Sequence, residues 1–262
     1  MSILSDIVDA NSAELSKAKQ EIPAKNLLGE IALLPPAPSF QQALLTKAAA
    51  KRPAVIAELK RASPSKGLIR NDLDCAGLAR GLAAAGAAAL SVLTEPHFFH
   101  GSLDNLRIAR ANCSIPLLRK DFIVEEYQLL QARAAGASAV LLIAALLDDA
   151  QLADLTAAAH ALGLEVLAEA HTAAETERLL AIPADMIGVN ARDLHTFQTS
   201  LEVVKQLVQR IPRERNPIAE SALQTHEELV ELQAAGTVGF LIGEALMRAP
   251  EPARKLREML EN

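Results

Sequence analysis

The stretch AVLLIAALLDDAQLADLTAAAHALGLEVLAEA, residues 139–170, contains one complete structural repeat. It opens on a short apolar run, AVLLIAAL, that reads as a buried strand. An alanine-rich stretch of helical period, DAQLADLTAAAHALG (149–163), follows and closes on Gly163, which suits the position just past a helix end. A second apolar run, EVLAEA (165–170), then begins. Two strands joined through a helix imply parallel pairing, because a hairpin needs far less chain.

The same unit recurs on both sides. Apolar runs stand at AVIAELK (54–60), ALSVLT (89–94), PLLRKDF (116–122), MIGVNA (186–191), NPIAES (216–221) and GFLIGEA (239–245), which with the two above makes eight. Their starts lie 21 to 35 residues apart, room for one strand, one helix and two short loops. DLDCAGLARGLAAAG (72–86), EEYQLLQARAAG (125–136) and THEELVELQAAG (225–236) are the clearest helical stretches between them. Eight such units can close into a (β/α)8 barrel. An open nucleotide-binding sheet would announce itself with G-x-G-x-x-G or G-x-x-x-x-G-K-[ST], and neither occurs.

Length agrees with one barrel: 262 residues, half of them hydrophobic, read as a single domain spanning 1–262. Residues 1–50 form an extension with helix-like segments at 3–20 and 39–50, separated by a stretch bearing Pro23, Pro35, Pro36 and Pro38. The extension is too small for its own core, so it should pack on the barrel or cover one end. A net charge of −6 and a pI near 5.6 argue against nucleic acid or an anionic membrane as partner. No apolar segment reaches a membrane span and no charged segment precedes an apolar leader, so a cytoplasmic protein is expected. Cys75 and Cys113 read as buried free thiols in separate helices, and the His97/His100 pair lacks a third ligand, so no metal is expected.

Strands buried on both faces should be apolar throughout, and the exceptions are therefore informative. Glu58 and Lys60 end the first run, Lys120 the third, Glu169 the fifth, Asn190 the sixth, and Glu220 with Ser221 the seventh. All stand at C-terminal strand ends, the face on which barrel active sites assemble. Period-two geometry places Glu58 and Lys60 on one side of their strand, so the carboxylate can support the ammonium. Arg119 should point away from Lys120 and reads as a helix-facing or surface ion pair. RASPSKG (61–67), the loop after the first strand, reads either as a mobile lid or as an ordinary solvated turn, and Gly243 precedes a short helix-like segment whose backbone N–H groups suit phosphate.

Taken together, IAELKRASPSKG (56–67), SVLTEPHFFHGS (91–102), LLRKDF (117–122), GLEVLAEAH (163–171), IGVNARDL (187–194), AES (219–221) and GFLIGEALM (239–247) resemble the indole-3-glycerol phosphate synthase family. The resemblance runs from 54 to 248 and more loosely through the N-terminal helices. It implies a (β/α)8 enzyme of tryptophan biosynthesis that needs no cofactor. Its expected reaction converts 1-(2-carboxyphenylamino)-1-deoxyribulose 5-phosphate to indole-3-glycerol phosphate, carbon dioxide and water. By resemblance Lys120 is the acid for ring closure, Glu169 the later base, and Lys60 a substrate ligand that protonates the departing hydroxyl. Glu58 orients the lysines, Asn190 bonds the reacting hydroxyl, and Arg192 holds the substrate carboxylate.

The resemblance assigns phosphate to Lys60, Ser221 and the backbone at Gly243 and Glu244, beside Glu220. Ser63 and Pro64 belong to the first loop, and Phe122 and Leu241 wall the anthranilate ring. Ala222 stands where the family commonly has glycine, which weakens phosphate binding if that position needs a positive φ. A small phosphorylated substrate is the expected partner, and the chain is expected to be a monomer. Another phosphate-binding barrel, such as phosphoribosylanthranilate isomerase, is the nearest alternative. The Glu58, Lys60, Lys120 and Glu169 set argues against it, and against a silent barrel kept only for assembly.

Overall fold

In the computed structural model, which describes residues 3–190, 200–221 and 223–261, the eight apolar runs form eight strands. They are β1 (Val55–Leu59), β2 (Ala89–Leu93), β3 (Leu117–Lys120), β4 (Ala139–Ile143), β5 (Glu165–Ala170), β6 (Met186–Val189), β7 (Pro217–Ala219) and β8 (Gly239–Ile242). Each pairs in parallel with its neighbour in sequence, and β8 pairs with β1, closing the barrel. Three helices precede β1: α1 (Ile3–Glu21), α2 (Ala24–Ile31) and α3 (Phe40–Ala49). The strands alternate with α4 (Cys75–Ala84), α5 (Leu103–Asn112), α6 (Glu126–Ala134), α7 (Asp149–Ala161), α8 (Ala173–Leu180), α9 (Leu201–Val208) and α10 (His226–Ala234). The short α11 (Glu244–Arg248) and α12 (Pro252–Leu260) follow β8.

Local chemistry sets the helix limits. Asp148 caps α7 and Thr225 caps α10, each accepting a backbone N–H while Gln151 or Glu228 reaches back to the cap. After α7, Gly163 adopts φ +70°, the left-handed turn its sequence position implied.

Strand alternation divides the core in two. Val55, Ala57 and Leu59 of β1 face the helices, whereas Ile56 points into the barrel with Leu118, Leu141, Leu167, Met186, Ile218 and Leu241. Phe40 and Leu44 of α3 join this interior cluster and are fully buried. Gln41 N and Ser39 Oγ donate to the Glu165 carboxylate at the start of β5, 2.6 Å each, so α3 plugs the N-terminal end. At the opposite end Leu4 and Ile7 of α1 are buried against the barrel mouth. The extension thus covers both ends.

The proline-bearing stretch also holds a helix that the sequence reading left out. Pro23 stands at the N-cap of α2, where a missing N–H costs nothing, and Pro35–Pro38 lie beyond its end. Leu27 is its buried contact, and Arg133 of α6 donates to Pro35 O at 2.6 Å. Cys75 opens α4 as a buried free thiol whose pKa burial pushes up to about 11, while Cys113 is half-buried just past the end of α5.

Candidate active site

Alternation aims charge inward. Glu58 lies two residues beyond Ile56, Lys120 two beyond Leu118, Glu169 two beyond Leu167 and Glu220 two beyond Ile218. Each follows an interior apolar residue with the same parity, so all four side chains turn into the barrel above its apolar layer. They line one cavity of about 920 Å³, counting its open mouth, at the C-terminal strand ends. Lys60, Ser63, Pro64, Phe122, Asn190, Ser221 and Leu241 reach the same cavity. An adjoining cavity shares Glu58, Lys60, Glu220 and Ser221 and extends to Lys66, Gly243, Glu244 and Arg248. Arg192 and Ala222 lie outside the described residues.

Lys120 is the hub. Its Nζ stands 2.8 Å from Glu169 Oε2 and 3.5 Å from Glu220 Oε2. Burial favours the neutral amine, but the charges of Glu169, then Glu220 and Glu58, outweigh it and hold the pKa above the ordinary ammonium range. Burial also works against the Glu169 carboxylate, and here Lys120 and then His171 prevail, drawing its pKa down to about 2. Glu220 goes the other way: burial and the Glu169 charge raise its pKa well above the carboxylate range, against the pull of Lys120. Neither Glu220 oxygen has a hydrogen-bond donor among the described residues. The two carboxyls thus shift in opposite directions, the Lys120 ammonium favouring ionised Glu169 and the Glu169 charge opposing ionisation of Glu220.

Around this hub the polar groups are tied in sequence. Lys60 Nζ donates to Glu58 Oε1 at 2.6 Å, the pairing that their spacing implied. Ser221 Oγ donates to Asn190 Oδ1, which leaves Asn190 Nδ2 to donate to Glu169 Oε1 at 3.3 Å. Gly243 has no side chain where one would collide: a Cβ there would lie 2.3 Å from Glu58 Oε1 and 3.0 Å from Lys60 Nζ. The loop after β1 forms a small hairpin, Ala62–Ser63 against Gly67–Leu68, with Lys66 at its turn 3.9 Å from Glu244.

Arg119 faces the helices as expected, but it is buried rather than a surface pair. Its guanidinium donates to Asp121 Oδ2 at 2.8 Å, Thr94 Oγ1 at 3.1 Å and Gln128 O at 2.6 Å. Asp121 in turn accepts the Phe122 backbone N–H at 2.8 Å. This network holds rigid the strand end whose opposite face presents Lys120.

Four participants were missed in the sequence. His171 Nε2 lies 3.3 Å from Glu169 Oε1, and the residue shares the parity of Glu169, which was the available signal. Phe99 stands 5.8 Å from Phe122, ring centre to ring centre, and adds a second aromatic wall. Glu95, fully buried, accepts the backbone N–H groups of His97, Phe98 and Phe99 at 2.8 to 2.9 Å and so fixes the loop that carries Phe99. Gly188 makes room in β6 for Glu220. His97 faces Glu14 of α1 at 3.8 Å, and among the described residues no three His, Cys, Asp or Glu side chains are arranged to hold a metal.

Comparison with known proteins gives the family and the fold. A family model described as indole-3-glycerol phosphate synthase matches residues 4–259. The indole-3-glycerol phosphate synthase of Albidiferax ferrireducens is 49% identical over 220 residues, 84% of this chain and 83% of that one. That of Variovorax paradoxus is 44% identical over 263 residues, 99% of each. Among solved structures, a mutant tryptophan synthase alpha-subunit from Pyrococcus furiosus superposes with a TM-score of 0.60 at 15% identity, covering 80% of this chain and 98% of that chain. A thiamine phosphate pyrophosphorylase from the same organism gives 0.57 at 15% identity, covering 80% and 94%. Likeness at that level concerns the barrel fold alone. The chain belongs to the indole-3-glycerol phosphate synthase family.

Proposed function

We infer that this enzyme closes the indole ring of 1-(2-carboxyphenylamino)-1-deoxyribulose 5-phosphate, with decarboxylation and dehydration, by dividing the work between Lys120 and Glu169. The observation that carries the division is their 2.8 Å contact deep in the cavity. The anilino nitrogen pushes electrons into the ring, and the carbon bearing the carboxylate attacks the side-chain ketone. Lys120, held as an ammonium by three carboxyl neighbours, donates its proton to the ketone oxygen. Its high pKa suits an acceptor that becomes a weakly acidic hydroxyl. Loss of carbon dioxide restores the aromatic ring.

Proton donation then changes the base. Once Lys120 is neutral, the cation that depressed the Glu169 pKa is gone, and burial acts on the carboxylate with less opposition. Until Lys120 regains a proton, Glu169 is therefore more basic than beside the ammonium. Lys60, oriented by Glu58, protonates the departing hydroxyl, and Glu169 removes the ring proton that completes the indole. Asn190 orients both Glu169 and the reacting hydroxyl. Phe122, Leu241 and Phe99 enclose the anthranilate ring, and Arg192 holds its carboxylate.

The phosphate lies in the adjoining cavity, where Lys60, Ser221 and the backbone at Gly243 and Glu244 receive it. Ala222 in the same loop costs phosphate affinity at most. Ser63 and Pro64 close over the substrate from the first loop. A monomer in the cytoplasm, acting on this small phosphorylated substrate without nucleic acid or membrane, is part of the same proposal; among the described residues no helix is long and apolar enough to cross a membrane. Adding the substrate to purified protein tests the reading: indole-type fluorescence should rise with equal release of carbon dioxide. A chain with no Trp and one Tyr gives little background. Folded protein that yields neither signal would sink the assignment.

A further inference from the structure

The reaction assigned above takes up one proton. The substrate carboxylate leaves as neutral carbon dioxide and the hydroxyl as neutral water, so substrate plus one proton gives indole product, carbon dioxide and water. Two protons go to the same oxygen, first as ketone and then as leaving hydroxyl. One comes back from the ring carbon, and only at the last step. Lys120 gives up its proton at the first step, inside a cavity whose mouth the substrate then occupies.

A row of titratable groups runs from the start of α8 to Lys120 along one wall of the cavity. Glu169 bridges two directions, with Oε2 2.8 Å from Lys120 Nζ and Oε1 3.3 Å from His171 Nε2. The other ring nitrogen, His171 Nδ1, faces Glu175 Oε2 at 3.6 Å and has no closer hydrogen-bond partner. Glu175 also accepts the His171 backbone N–H at 2.7 Å, which fixes the start of α8 against the end of β5. Side-chain exposure rises outward along the row, from 3% at Glu169 through 8% at His171 to 18% at Glu175. His171 borders the substrate cavity, whereas Glu175 does not, so the row meets solvent at its outer end beside α8.

We propose that His171 and Glu175 form a relay that carries a solvent proton to Glu169, and through it to Lys120, in each turnover. The imidazolium gives its Nε2 proton to Glu169 Oε1, forming a neutral carboxylic acid and a neutral imidazole. A half-turn about the soft terminal torsion of Glu169 presents that proton to the Lys120 amine, restoring ammonium and carboxylate. His171 is recharged from solvent past Glu175. The ring proton that Glu169 takes up leaves outward through His171, and Lys60, which also lines the adjoining cavity, regains its proton from solvent, so the net uptake stays at one. The groups facing His171 are Glu169 from β5, Glu175 from α8 and Lys120 from β3. Burial opposes the imidazolium, but Glu175 and Glu169 outweigh it and raise the His171 pKa above its ordinary value, which favours the proton-bearing form.

The relay rests on the proposed reaction, and wild-type turnover in the same assay tests that reaction separately. His171→Gln in the full chain keeps an amide able to donate to Glu169 but cannot ionise. It should leave KM within about twofold and lower kcat by roughly 10-fold or more. Added imidazole buffer at fixed pH should raise kcat of the variant and leave the wild type unchanged. The high-pH decline in wild-type kcat that follows loss of the imidazolium should be absent from the variant. Glu175→Gln, which keeps the acceptor for the His171 backbone, tests the outer link and should show a smaller, buffer-sensitive loss. Wild-type kcat in His171→Gln, or a loss that imidazole does not relieve, would overturn the relay.

Discussion

A methyl group on Gly188 would stand 1.9 Å from Glu220 Oε1. The interior face of β6 is thus hollowed to admit the buried Glu220 carboxyl beside Lys120. Gly188→Ala must push Glu220 away or bend the strand, an overpacking that costs ~1–3 kcal/mol. Thermal unfolding should show the loss, and turnover should fall with it. Wild-type stability and turnover would mean that Glu220 has room to spare.

Glu220 also makes stability depend on pH. Its folded pKa lies above its ordinary value of 4.5, so the stability it contributes is full below that value and is lost as pH rises toward the folded pKa. Glu220→Gln imitates the protonated form and cannot lose it. The variant should gain stability relative to wild type as pH rises from 4.5, and the gain should level off above the folded pKa. Denaturant unfolding across the pH range measures this; a constant difference would place the Glu220 pKa at its unfolded value.

Glu95 holds three backbone N–H groups with one side chain. Glu95→Ala removes the buried acceptor that those three part-buried donors share, and a hydrogen bond to a carboxylate is worth ~1.5–3 kcal/mol where water does not replace it. Stability should fall and KM should rise, because Phe99 loses its fixed position opposite Phe122. Steady-state kinetics with an unchanged KM would show that Phe99 keeps its place without Glu95.

Gly243 tests the phosphate end. Gly243→Ala would bring a Cβ to 2.3 Å from Glu58 Oε1 and disturb the Glu58–Lys60 pair. Inhibition by inorganic phosphate should weaken, and KM should rise, while the fold survives because Gly243 has a negative φ that alanine tolerates. Undiminished phosphate inhibition would remove Lys60 and this loop from the phosphate site.

The barrel was legible because its signal is periodic: eight apolar runs, each followed by a helical stretch, leave little choice of topology. Glu58, Lys60, Lys120 and Glu169 were legible for a related reason, since a charge in a strand buried on both faces stands out. His171 obeyed the same rule of parity, yet it lies one position past β5, where a polar residue is ordinary. Arg119 was assigned to the correct face, but its burial depends on Thr94, Asp121 and α6, contacts that no local pattern encodes. Glu95 and Phe99 act through a loop whose shape is set by backbone N–H groups, which sequence does not display. Helix α2 was hidden because the prolines on both sides of it read as a continuous break.

The central claim is that Lys120 serves ring closure and Glu169 the later deprotonation, and single-turnover assays of carbon dioxide and indole in parallel test it most directly. Glu169→Gln should still release carbon dioxide in an amount equal to the enzyme, because Lys120 keeps its proton and loses the partner that held it. Indole fluorescence should lag or fail, as the hydroxylated dihydroindole accumulates. Lys120→Ala should release neither product, with a loss of roughly 10²–10⁴-fold or more. If Glu169→Gln lowers carbon dioxide and indole in the same proportion, or if Lys120→Ala still releases carbon dioxide at the wild-type rate, the division of labour is wrong.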